Sequence, residues 1–330
     1  MTSDTLIVAP SWIGDMVMTH SLVRLLRRKT DTSIHLLAPR STASLGLRMP
    51  GVSQTHVLDI PHGALGLYRR WQWARRHDQL FGQAILIPNS FKSAITPWLS
   101  GVPLRTGWKG EYRFGLINDI RKRDVIEHPL MAQQIAALGL DPGESLKDFP
   151  LPQLVFDRGN FLKLAVKFGL SSTEKKVTAI CPGADFGGAK RWPISYFVQV
   201  GRAIVENGGA IWLIGSDRDQ SAGALISEGI DGEVIDLCGK TSLLDAIDLL
   251  SQVDQVICND SGLMHVASAL EKKVIAIFGS TSPAFTPPLT KKGDVVQQKL
   301  SCSPCFEREC PLGHTKCLYD LEPKKVIELL

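Results

Sequence analysis

The sequence predicts an α/β protein made of two successive parallel-sheet units, and three observations carry that expectation. A chain of 330 residues, 44% hydrophobic and 21% charged, can bury two ordinary cores without disulfide or metal support. Short β-branched runs alternate with longer stretches of helical period almost from end to end, as βαβ units require. The stretch 141–157 has prolines at 142, 150 and 152 and no clear period. It marks a linker, and the chain divides into domains 1–155 and 156–330.

Taken in order, strands are expected at 5–9, 33–37, 56–60 and 83–87, with helices near 16–29, 42–48, 68–76 and 91–99. A helix around 161–168 opens the second domain. Strands follow at 177–181, 210–214, 234–237, 255–258 and 274–278, with helices near 194–207, 219–227, 243–251, 262–270 and 323–330. Open parallel sheets bind ligands in the turns after their strands. Two such domains are therefore expected to face a central cleft, and the chemistry is sought in those turns.

Composition excludes several classes. A net charge of +4 on a chain of balanced hydropathy is neither disordered nor fibrous. The longest uncharged run, 274–290, is 17 residues and is broken by Pro283, Pro287 and Pro288, so no spanning helix is expected. The N-terminus lacks a basic leader region, which predicts a cytoplasmic chain. Charge is uneven, with 17 basic and 9 acidic side chains in 1–127 against 20 and 24 in 128–330. A basic front half suits an anionic partner, or simply a solvated surface.

Asp15 follows the first strand, beside Gly14 and just ahead of an apolar helix. Two duties are open to it, capping that helix and acting as a general base. One glycine here does not make a dinucleotide fingerprint, which weakens a dehydrogenase reading. After the strand at 177–181 the run Pro182-Gly-Ala-Asp-Phe-Gly-Gly-Ala-Lys190-Arg191-Trp-Pro193 brings glycines and cations to a helix start, where backbone amides favour an anion. It is not a magnesium-holding P-loop, because Arg191 stands where Ser or Thr is needed. A second phosphate-type turn, Asn259-Asp260-Ser261-Gly262-Leu263-Met264-His265, follows the strand at 255–258. Together the two turns suggest a diphosphate ligand. Asp217-Arg218-Asp219 offers a ribose acceptor at Asp217, or a chelating pair.

Lys92, Arg105, Lys109 and Arg113 lie in two stretches read as loops, interleaved with aromatics. They suit an acidic sugar better than nucleic acid, for which no module pattern is present. Cys181, Cys238 and Cys258 read as small core residues. Cys302, Cys305, Cys310 and Cys317 are dense enough to bind a structural zinc, or to stay unliganded.

Pro10–Met16, Pro88–Ala94, Thr106–Asp119, Cys181–Pro193, Asn259–Leu270 and Gly279–Pro288 together resemble the lipopolysaccharide heptosyltransferases, over nearly the whole chain. The resemblance implies the glycosyltransferase B (GT-B) fold of two Rossmann-like domains, the first for the acceptor and the second for the donor. It implies metal-independent, inverting transfer of heptose from ADP-L-glycero-D-manno-heptose to the first heptose of the Kdo-lipid A core. Addition onto Kdo itself is the alternative. It implies no cofactor, and work at the inner face of the cytoplasmic membrane. By position it makes Asp15 the catalytic base. Lys190 becomes the diphosphate contact, Asp217 the ribose acceptor and Thr241 the adenine neighbour. Asp260 falls near the donor heptose, and Ser261, Gly262 and Leu263 form the phosphate turn. His265 carries no assigned role. A non-catalytic nucleotide-sugar-binding protein is the rival of a different class.

Overall fold

The computed structural model describes residues 4–61, 63–170 and 175–330. Residues 1–3, on which the leader reading partly rests, lie outside them. The chain divides into two compact units between Gln153 and Leu154.

The first unit holds a six-stranded sheet: β1 (Thr5–Val8), β2 (Ile34–Ala38), β3 (Gln54–Val57), β4 (Gln83–Leu86), β5 (Leu104–Trp108) and β6 (Asp119–Arg121). The order is β3-β2-β1-β4-β5-β6, with every pairing parallel. The second unit holds β7 (Val177–Cys181), β8 (Ala210–Leu213), β9 (Val234–Asp236), β10 (Gln255–Asn259), β11 (Lys273–Phe278) and β12 (Gly293–Gln297). Its order, β12-β11-β10-β7-β8-β9, is the same pattern seen from the other edge. Both sheets are doubly wound, so each has a switch point beside its first strand: between β1 and β4, and between β7 and β10.

Burial follows from that topology. Central strands are covered on both faces and read as continuous apolar runs; Thr5–Val8 and Ile34–Ala38 are buried throughout. The second core gathers Ile180, Trp192, Phe197, Ile211, Ile257 and Ile275, and the C-terminal Leu318, Leu321 and Val326 close it. Truncating the fully buried Phe197 to alanine removes about 3–5 kcal/mol of stability.

Three strands differ from the sequence expectation. β5 takes up residues read as a loop, and Arg105 therefore lies in a strand. β6 and β12 carry too few apolar residues to announce themselves, because edge strands are covered on one side only. The expected helix at 42–48 is a short α-turn, Arg40–Ala43, continuing as the 3₁₀ segment Ser44–Arg48.

His20, buried in the helix Ile13–Lys29, ties that helix to the turn at Pro50 and to the end of its unit at Gln153. Its Nε2 donates to the Pro50 carbonyl (2.8 Å), and its Nδ1 accepts from the Gln153 amide (2.9 Å). Only the neutral ring can do both. Burial pulls its pKa down from 6.5 to about 4, and it does the same to His56 and to His265. The unfolded chain therefore takes up these protons first. Stability is complete above pH 6.5 and falls as the pH drops towards 4. Thermal melts across that window should show a declining Tm, and a flat Tm would mean these rings are already charged in the native state.

Candidate functional site

In the first unit, Asp15 sits in the first turn of Ile13–Lys29, directly after β1 at the switch point. The N-cap position belongs to Trp12, whose side chain makes no capping hydrogen bond. Asp15 is therefore the third helical residue, half-buried, and its backbone carbonyl accepts from the Thr19 hydroxyl at 2.8 Å. A carboxylate in a first turn is favoured by the helix dipole. Lys92 occupies the first turn of the helix Phe91–Leu99, on the other side of the same switch point. Lys109 follows β5 and is exposed.

Arg105 and Arg113 have other duties than the sequence suggested. Arg113 is 3% exposed. Its guanidinium donates to the carbonyls of Pro88 (2.7 Å) and Trp108 (2.7 Å) and to the Ser93 hydroxyl (3.1 Å). Arg105 donates to the carbonyls of Leu116 (2.6 Å) and Val102. Arg113 ties the loop after β4 to the end of β5, and Arg105 ties the turn before β5 to the loop after it. Gly110 completes that packing, since a Cβ there would come within 2.8 Å of the Asn89 carbonyl oxygen. Glu111 accepts from the Phe91 amide at 2.6 Å and so covers the start of the Lys92 helix. An ammonium cannot reproduce the guanidinium's fork. Arg113→Lys should therefore cost about 1–3 kcal/mol, read as a lower denaturant midpoint with unchanged slope.

In the second unit, the loop after β7 and the turn after β10 meet across the switch point. Lys190 Nζ lies 2.6 Å from Asp260 Oδ2, and the Thr281 hydroxyl donates to the same oxygen at 2.5 Å. Asp260 is 4% exposed, so this carboxylate meets its two donors in a site poor in water. Lys190 also sits 4.8 Å from the Phe186 ring centre, with the Arg308 guanidinium 5.4 Å from it. The turn continues into the helix Gly262–Ala269, whose N-cap Ser261 makes no side-chain capping hydrogen bond. Its first-turn amides, Gly262 and Leu263 included, form an electropositive end beside the ion pair. His265, one turn on, is buried and neutral, with burial the main cause, opposed by the Asp260 carboxylate and reinforced by the Lys190 charge.

Asn259, Thr281, Phe186 and Arg308 were not singled out from the sequence. Asn259 is fully buried at the end of β10. It donates to the Pro182 carbonyl (2.7 Å) and accepts from the Trp192 amide (3.1 Å), so it pins both ends of the Lys190 loop. An amide closing an otherwise apolar strand was the available signal. Thr281 and Arg308 come from distant segments, and nothing local announces them.

The remaining expected residues fall as follows. Asp217 is exposed in the 3₁₀ turn after β8. Asp219 is buried instead, accepting from the Ser216 amide (2.9 Å) and hydroxyl (2.7 Å), so the pair does not present two carboxylates to one ion. Thr241 is half-buried in the turn after β9, just before Ser242 caps the helix Leu243–Leu250. For the four tail cysteines the spacing left a structural zinc or unliganded thiols open; burial and then the nearby Cys305, Cys310 and Cys302 raise the Cys317 thiol's pKa. Among the described residues no group of three or more His, Cys, Asp or Glu is placed to hold an ion. Cys317 belongs to the second core, whereas Cys302, Cys305 and Cys310 lie nearer the surface.

The described residues contain no helix long and apolar enough to cross a membrane. The sequence pattern of glycosyltransferase family 9 (heptosyltransferase) matches residues 72–316. The chain is 36% identical to lipopolysaccharide heptosyltransferase 2 of Escherichia coli strain K12, covering 98% of this chain and 97% of that one. A solved structure of Escherichia coli ADP-heptose LPS heptosyltransferase II superposes with a TM-score of 0.86 at 34% identity, over 99% of this chain and 97% of that chain. Lipopolysaccharide heptosyltransferase 1 of Pseudomonas aeruginosa matches at 24% identity over 53% of this chain and 49% of that one. With its pair of parallel six-stranded sheets and this full-length likeness, the chain belongs to glycosyltransferase family 9, the heptosyltransferases.

Proposed function

We propose that this chain transfers heptose from ADP-heptose to a heptose already on the Kdo-lipid A inner core of lipopolysaccharide. Family membership and the full-length likeness to heptosyltransferase 2 support the reaction, and the half-length match to heptosyltransferase 1 favours the second addition over the first. The observation that carries the donor half is the Lys190, Asp260 and Thr281 cluster beside the amide end of Gly262–Ala269.

In this reading the second unit holds the donor. Lys190 and the amides of Ser261, Gly262 and Leu263 meet the diphosphate. Asp217 accepts from a ribose hydroxyl, the backbone at Thr241 lies by the adenine, and Asp260 accepts from the donor heptose. The first unit holds the acceptor, with Lys92 and Lys109 meeting Kdo carboxylates and lipid A phosphates; Arg105 and Arg113 shape the loops that carry them. Asp15 takes the proton from the acceptor hydroxyl. The acceptor oxygen bonds to the anomeric carbon as the bond to the β-phosphate oxygen breaks, the electron pair leaves with ADP, and the configuration inverts. Charge developing on the departing diphosphate meets a fixed ammonium and fixed amides, so the step needs no metal ion. The acceptor's lipid places the work at the cytoplasmic face of the inner membrane, where a basic first half is favoured.

The test supplies ADP-heptose, with EDTA present, to truncated cores carrying zero or one heptose, followed by mass analysis and assignment of the new anomeric configuration. A gain of one heptose on the one-heptose core, with inversion, is the expected result. A gain on the bare Kdo core assigns the first addition instead, and no gain on either refutes the transferase reading.

A further inference from the structure

The helix Leu67–Arg76 of the first unit has two unlike faces. Arg70, Trp73 and Ala74 are buried against the unit, and Arg70 donates to the Leu65 carbonyl (2.8 Å) and the Thr96 hydroxyl (3.1 Å). The opposite face leaves Leu67 54%, Tyr68 67% and Trp71 45% exposed. Tyr68 and Trp71, three residues apart, stack at 6.1 Å and 25°, and the Arg75 guanidinium lies 5.2 Å over the Trp71 ring. Arg69, Arg75 and Arg76 are exposed, and no acidic residue occurs anywhere in 60–77.

We infer that this face docks on the surface of a membrane rich in anionic lipid, with Tyr68 and Trp71 seated among the headgroups and the arginines on the phosphates. An exposed aromatic pair flanked by arginines and free of carboxylates has the composition of an interfacial helix. Tyrosine and tryptophan carry an apolar body with a polar edge, which suits the headgroup layer better than a dry protein interface or open water. The arginines add attraction to a negative surface. A face of mixed sign would suit a protein partner; the helix's own outward residues carry one sign, and the neighbouring carboxylate, Asp59, whose carbonyl accepts from Arg69, is paired with Arg40. None of these residues belongs to the donor cluster or to the Asp15 turn. The inference rests on the reading that the acceptor is a membrane lipid and names the element that brings the enzyme to it.

The test sediments the full chain with vesicles of phosphatidylethanolamine and phosphatidylglycerol in about a 2:1 ratio, and assays transfer to a deacylated, water-soluble one-heptose core. The wild type should partition onto these vesicles and release as salt rises. Arg75→Ser should weaken the partition roughly five-fold, and the Tyr68→Ser, Trp71→Ser pair at least as much. Transfer to the soluble core should be unchanged in all of them. The positions are exposed, and circular dichroism of each variant shows whether the fold is kept. Partition unaffected by both sets of substitutions overturns the inference while transfer to the soluble core still stands. A wild-type dimer dissolved by Trp71→Ser, with vesicle partition unmoved, assigns the face to self-association and equally overturns it. Vesicle docking intact with no transfer to any acceptor instead removes the functional reading.

Discussion

Asp15→Ala should abolish heptose transfer, with a fall in kcat of about 10²–10⁴-fold, the range a positioned general base supplies. ADP affinity should stay within about two-fold of wild type, because Asp15 belongs to the first unit and the groups assigned to the nucleotide belong to the second. The residue stands in the first turn after β1, where the helix dipole favours a carboxylate. Asp15→Asn keeps the shape and hydrogen-bonding reach while removing the proton acceptor. It should be nearly as inactive, and it separates loss of the base from loss of the turn. Calorimetric titration with ADP alongside single-turnover assays decides the matter. Weak ADP binding in the asparagine variant would remove the base assignment, as would transfer at a tenth of the wild-type rate.

Lys190→Ala should act on both sides of the reaction. In the proposed reaction the ammonium meets the departing diphosphate, and losing one such preorganised group costs about 10²–10³-fold in kcat. The same change strips Asp260 of its partner. A buried carboxylate left with the Thr281 hydroxyl alone is penalised, and breaking such a pair typically removes about 3–5 kcal/mol. The stability loss should shrink in the double variant Lys190→Ala, Asp260→Asn, while the catalytic loss should not. Denaturant melts and kcat on both variants separate the two effects. If the double variant regains activity, Lys190 serves the fold and not the leaving group.

How far this was legible in the sequence follows from what each residue does. Central strands such as β1, β7 and β10 announce themselves because both faces are covered and the whole run is apolar. Asp15, Lys190 and Asp260 stand in turns directly after such strands, so the expected fold pointed to them. β6 and β12 stayed hidden because an edge strand needs little apolar surface. Arg105 and Arg113 misled for a related reason. A cation beside aromatics looks like a ligand contact until its donors are traced to the carbonyls of Leu116, Pro88 and Trp108, pairings 11, 25 and 5 residues apart in sequence. The tail cysteines combine two settings that spacing does not separate: Cys317 packs in the core, while Cys302, Cys305 and Cys310 lie nearer the surface and close enough to raise its thiol's pKa. Thr281 reaches Asp260 from 21 residues away, a distance at which no local pattern speaks.

The Lys190 loop leans on the end of the chain. The Arg308 carbonyl accepts from the Ala189 amide at 3.0 Å, Glu309 accepts from the Gly188 amide at 3.1 Å, and a Cβ on Gly187 would collide with Arg308. Beyond them, Leu318, Leu321 and Val326 plug the second core. Translation delivers these residues after the strands they close. A nascent chain can therefore complete its first unit while the Lys190 loop still lacks the segment that braces it, and a chain stopped before Arg308 should leave that loop unanchored.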